Sequence, residues 1–117
     1  RRGGAAVTVR AAVRAIQEEV GRDDLAPARA AELLLKATAL IGNCNTEIRD
    51  ADMAYAQVLL GCLNSTAAAN RARIQSEITP EYQRKREARD TKELVIEVCR
   101  ALKYAIRCTE EEMRLAR

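Results

Sequence analysis

Ala30, Ala37, Cys44, Ala51, Val58, Ser65 and Ala72 follow one another at intervals of seven. Leu34, Ile41, Ile48, Tyr55, Cys62 and Ala69 do the same beside them. Two interleaved rows of small and apolar residues form the seam of a helix packed lengthwise against a neighbour. Gly42–Asn45 (GNCN) reads locally as a turn, yet both rows cross it without losing phase, whereas a loop usually resets the phase. The pattern therefore predicts one long helix over about 25–77, roughly 80 Å long at about 1.5 Å per residue, with a kink at Gly42. The competing reading breaks the helix at Gly42, with Asn45 capping a new one from Thr46. Gly42 and Gly61 each cost a helix about 1 kcal/mol relative to Ala, which argues for a bend or a close backbone approach.

The flanking segments are punctuated more clearly. Val9, Val13, Ile16 and Val20 share one face and predict a first helix over about 6–20. Gly21 stands where a helix C-terminus favours positive φ. Asp23 or Asp24 can cap the next helix, with Pro27 in its first turn. In "ITPEY", Ile78 precedes a proline, Thr79 suits an N-cap, Pro80 a first helical residue and Glu81 the positive end of the dipole. The last helix is expected over about 80–115, with a seam of Ala88, Val95, Leu102 and Thr109 and with Thr91, Val98 and Ala105 between. Leu94, Cys99, Ala101, Tyr104 and Ile106 widen the stripe enough to touch more than one neighbour.

Together these elements predict an all-α, antiparallel helical bundle with one short and two long helices, or four if the long helix is broken near Gly42. The expected organisation is a single domain over 1–117, part of a larger protein, with the first and last helices running antiparallel to the long one. Two helices in thickness cannot bury stripes this wide. Either the long helix folds back at Gly42 or two chains associate, and the sequence reading favours association.

Composition narrows the class. The chain has 117 residues with 48% hydrophobic and only 3% aromatic, so its helices pack through Ala, Leu, Val and Ile rather than through rings. No apolar run reaches the roughly 20 residues of a membrane span, and "RRGGAAVTVR" lacks a signal-peptide core. Residues 1–22 hold five Arg against two Glu, while residues 23–61 hold three basic against six acidic groups. The plain expectation is that the first segment packs along the second.

The chemistry available is limited. The chain has no His, which removes His bases, His-based metal sites and Ser-His or Cys-His pairs. There is no phosphate loop, dinucleotide motif or calcium loop. Asp50 and Asp52 point roughly 200° apart on a helix. Cys44, Cys62, Cys99 and Cys108 form no CxxC pair and read as four reduced thiols, although a hairpin turning near Thr79 would allow a Cys62–Cys99 bridge. Asn64-Ser65-Thr66 matches the glycosylation acceptor pattern, placed mid-helix. Glu110–Glu112 sit unfavourably at a helix C-terminus, which argues for a continuing helix or a basic partner.

The functional expectation is a cytoplasmic, non-catalytic interaction or scaffolding module without cofactor or metal. It would act through self-association as a homodimer or by docking a partner's helix. The candidate partner-binding residues are Leu33, Leu40, Leu59 and Leu63 beside the long seam, and Val95, Cys99, Leu102 and Ile106 on the last helix. One alternative is a basic bundle that contacts nucleic acid or an anionic membrane surface through Arg71, Arg73, Arg84, Lys85, Arg86 and Arg89. No aromatic residue interleaves with that run, which disfavours stacking on single strands. The other alternative is an extracellular bundle clamped by disulfides.

Overall fold

A computed structural model describes residues 8–22 and 24–116, and these form four α-helices and no strand. The helices are α1 (Val9–Val20), α2 (Pro27–Ser65), α3 (Ala69–Glu77) and α4 (Pro80–Leu115). The all-α antiparallel bundle is thus the observed fold class. Residues 6–7 of the expected first helix and the candidate cap Asp23 lie outside the described residues, as do Arg1 and Arg2 of the basic N-terminal segment.

The local signals act as elementary chemistry requires. Thr8 is extended and its side chain accepts a hydrogen bond from the Ala11 amide at 3.1 Å, closing the open end of α1. Pro27 and Pro80 each stand first in their helices, where a missing N–H costs nothing. Thr79 Oγ1 donates to the Ser76 carbonyl at 2.6 Å and accepts from the Tyr82 amide at 3.3 Å, so one hydroxyl serves the end of α3 and the start of α4.

Three expectations are corrected. The helix runs through Gly42 unbroken but stops at Ser65, not near 77. Asn64, Ser65 and Thr66 are weak helix formers, and Ser65 Oγ turns back to the Gly61 and Cys62 carbonyls at 3.0 and 3.3 Å. Ala68 is then extended, and Thr66 Oγ1 donates to Gln75 Oε1 at 3.2 Å across the break. Gly21 closes α1 at φ −73°, in the right-handed region, with its N–H returned to the Gln17 carbonyl. Finally, among the described residues nothing stands within 4 Å of a Cβ built on Gly42 or Gly61.

The helices group into two compact units. One comprises Arg1–Asn43 with Glu93–Arg117, the other Cys44–Lys92. In the first, Val9, Val13 and Ile16 of α1 are buried with Ala30, Leu33 and Ala37 of α2 and with Val95, Val98, Cys99 and Leu102 of α4. Three apolar stripes thus close on one another, and α4 is covered by two neighbours, as its wide stripe requires. Thr38 Oγ1 lies 4.0 Å from Cys99 Sγ, fixing an antiparallel register. The expected Cys62–Cys99 pairing needed two uninterrupted helices joined near Thr79. α3 intervenes, Cys99 faces Thr38 instead, and all four cysteines are free thiols.

The second unit has a smaller and more polar core: Cys44, Ala51, Tyr55, Ala72, Ser76, Ala88 and Thr91. α3 folds back along α2, with Tyr55 Oη and Ser76 Oγ 3.0 Å apart. Tyr82 stacks at a tilt on Tyr55, centroids 5.3 Å apart, and Lys85 Nζ stands 4.6 Å above the same ring. Arg89 reaches Asp52 at 2.7 Å. Tyr55 thereby links all three helices of this unit.

Candidate interaction surface

The residues proposed for partner binding divide sharply. Leu33, Val95, Cys99 and Leu102 are buried inside the first unit, covered by this chain's own helices. They are core, not an open docking face, because α1 supplies the cover that the sequence reading assigned to a second chain. Leu40, Leu59 and Ile106 are half-buried, and Leu63 is exposed. Leu33 and Leu40 also line a groove of about 500 Å³ between α1 and α2. Ala12, Ala15, Ile16 and Ala39 complete its floor, and Glu19, Arg29 and Lys36 stand at its rim.

That rim is organised by one ion pair. Arg29 donates to both carboxylate oxygens of Glu19, at 2.6 and 2.8 Å, and to Glu32 at 2.9 Å. The hydrogen bonds from Arg29 hold the Glu19 carboxyl below its ordinary value, with Arg29, Arg22 and Lys36 charges adding to the effect, and the Arg29 guanidinium is raised in turn. In this pair the first segment provides the acid and the second the base.

Three of the six basic residues have partners within the chain. Lys85 is engaged with the Tyr55 ring, Arg89 with Asp52, and Arg73 lies 4.0 Å from Glu77. Arg71, Arg84 and Arg86 are exposed, but Arg84 and Arg86 leave their helix about 200° apart. Lys85, Arg89 and Arg73 are thus engaged within the chain, and Arg84 and Arg86 point different ways from α4.

A different surface emerges in the second unit. Met53 and Leu60 are each 59% exposed and Leu63 is 43% exposed, with Ala56 open between them. At about 100° per residue these four lie on one stripe of α2, opposite Ala51 and Tyr55, which point into the core. Ile74 and Ile78 add exposed apolar area in the same unit. Sequence reasoning found Leu63 and missed Met53 and Leu60. The signal was present: in a chain with 32% charged residues, none occurs from Met53 to Asn70. An outward helix face without charge is uncommon.

Asn64 and Ser65 of the acceptor triplet are exposed in the last turn of α2, not mid-helix. Among the described residues no cluster of three or more Cys, Asp or Glu side chains could hold a metal ion, and no helix is long and apolar enough to cross a membrane. Compared with protein families, curated proteins and solved structures, the chain matches none.

Proposed function

We propose that this chain is a non-catalytic protein–protein interaction module that docks a helix on the outer stripe of α2 between Met53 and Leu63. One observation carries the reading: two large apolar side chains, Met53 and Leu60, are 59% exposed on an uncharged helix face directed away from the core. Burying that face is worth roughly 25 cal/mol per Å² of apolar area removed from water, the ordinary driving force of helix-in-groove recognition. Beside it, a Cβ built on Gly61 meets nothing within 4 Å among the described residues, which leaves room for a second backbone. The reading includes a cytoplasmic setting, supported by free thiols at Cys44, Cys62, Cys99 and Cys108.

A photo-reactive side chain placed at Leu60, compared with one at Arg84, tests the reading. Polypeptide adducts are expected at Leu60 that survive high salt and disappear with Met53→Glu. Adducts confined to Arg84 and abolished by salt would replace it with binding through the basic residues. The absence of adducts at both positions would overturn the docking reading altogether.

A further inference from the structure

α3 differs from its neighbours in what holds it. It has nine residues, fewer than the roughly 12–15 that an isolated helix needs to persist in water. The two side chains it buries, Ala72 and Ser76, are both small, whereas α1, with twelve residues, buries Val9, Val13 and Ile16. Ile74, the large apolar residue of α3, is 60% exposed. The ends are equally bare. Thr8 caps α1 and Thr79 caps α4. Ala68 has the extended geometry of an N-cap, φ −95° and ψ 119°, but its methyl group cannot accept a hydrogen bond. Three residues on, where Glu or Gln completes a capping box, stands Arg71. The charges run against the helix dipole, with Arg71 in the first turn and Glu77 at the end. Arg73 lies 4.0 Å from Glu77 in the less favourable order, base before acid.

We infer that α3 is a detachable strap: it leaves α2 and α4 by local unfolding while those two helices stay paired, and so switches the Tyr55 hydroxyl and Ser76 between buried and open. The ties it must break are the Tyr55–Ser76 contact at 3.0 Å, the Thr66–Gln75 bond at 3.2 Å and the bond from Thr79 to the Ser76 carbonyl at 2.6 Å. Against them, nine residues regain backbone freedom. The backbone leaves helical geometry on both sides, at Ala68 and at Ile78, so the strap has a hinge at each end. The α2–α4 pairing does not depend on it. Tyr82 and Lys85 hold the Tyr55 ring, and Arg89 reaches Asp52, without any part from α3. Thr79 keeps its bond from the Tyr82 amide and still caps α4. Such an opening belongs to the low end of the free energies at which parts of a fold come apart. The inference does not rest on the docking reading, because Tyr55 lies on the face of α2 opposite Met53 and Leu60.

Native-state hydrogen exchange of the purified, reduced chain in low urea, read amide by amide by NMR, tests the inference. The amides of residues 72–77 are expected to exchange about tenfold or more faster than the bonded amides of α2 and α4 in the same unit, with a smaller dependence on urea. Leu102 lies in the first unit, and Leu102→Ala lowers the stability of the whole chain. It should speed amides that exchange through global unfolding about thirtyfold or more and leave α3 at its own rate. Ala68→Asp alters an exposed position and supplies the missing cap, so it should slow α3 about fivefold; it carries the test even where Leu102→Ala fails to fold. A rate and urea dependence that α3 shares with α2 and α4 would overturn the strap. So would a rise at α3 that matches the rest in Leu102→Ala. An α3 rate left unchanged by Ala68→Asp would overturn the bare N-terminus as what lets the strap open.

Discussion

Tyr55 donates its hydroxyl proton to Ser76 Oγ, 3.0 Å away, because the serine's own proton is committed to the Arg73 carbonyl at 2.7 Å. Ser76 is fully buried and Tyr55 nearly so. The two substitutions are therefore unequal. Tyr55→Phe removes a donor and leaves Ser76 satisfied through Arg73, for a cost of about 1 kcal/mol. Ser76→Ala strands a buried phenol hydroxyl and should cost about 1–3 kcal/mol. The double variant should cost less than the two added together. Urea unfolding of the four proteins measures all three values.

Core and stripe should separate in the same assay. Leu102 is wholly buried in the first unit, so Leu102→Ala should cost about 2–5 kcal/mol through lost burial and the cavity left behind. Leu60→Ala, at an open position, should change monomer stability by no more than about 0.5 kcal/mol. Equal losses at the two positions would show that Leu60 is covered within the chain.

The two glycines of α2 lie within the helix, and among the described residues nothing stands within 4 Å of a Cβ built on either. Gly42→Ala should stabilise the chain by about 0.5–1 kcal/mol, by narrowing the unfolded ensemble and favouring the helix. Gly61→Ala should do the same. A loss of stability at either site would mean that the backbone is approached there.

Acid should loosen the first unit through Glu19. Its carboxyl is held below the ordinary 4.5 chiefly by the Arg29 hydrogen bond. A carboxyl lowered in the folded state adds stability above its unfolded value and loses it as pH falls through the folded value. Glu19→Gln should therefore lower the urea midpoint at neutral pH, and the gap from the unaltered chain should close on acidification below the usual carboxylate range. The pair is open to solvent, so salt should also shrink the gap. A gap that is constant with pH would assign the loss to packing.

The thiols should react in two classes. Burial pushes the Cys44 thiol up, with Glu47 adding to the effect, and Cys99 is buried as well. Cys62 and Cys108 are half-buried. A thiol reagent on the native chain should label Cys62 and Cys108 first, with Cys44 and Cys99 following on unfolding. Mass spectrometry of the labelled peptides reads the order.

Much of this architecture was legible because its signals are local. Thr79 and Pro80, Pro27, and the spacing of Val9, Val13 and Ile16 each act within a turn or two, and each marks the element it should. The inner seam was legible too, since Ala30, Ala37, Cys44 and Ala51 are all buried. The end of α2 was hidden because Ala69 and Ala72 keep the seven-residue phase across the break. Alanine fits a seam without specifying one, and Asn64-Ser65-Thr66 carried the stop signal. The assignment of Leu33, Val95 and Leu102 to a partner failed on stoichiometry. The sequence shows that a stripe needs cover, but only packing shows that α1 provides it. The outer stripe was missed for the opposite reason: attention to apolar spacing passed over the missing charge between Met53 and Asn70.

Cross-linking from a photo-reactive side chain at Leu60 tests the central claim most directly. The expected result is polypeptide adducts that survive high salt and disappear with Met53→Glu, with equal helicity in both proteins. The absence of adducts at Leu60 would contradict the assignment of the outer face of α2 as a docking surface.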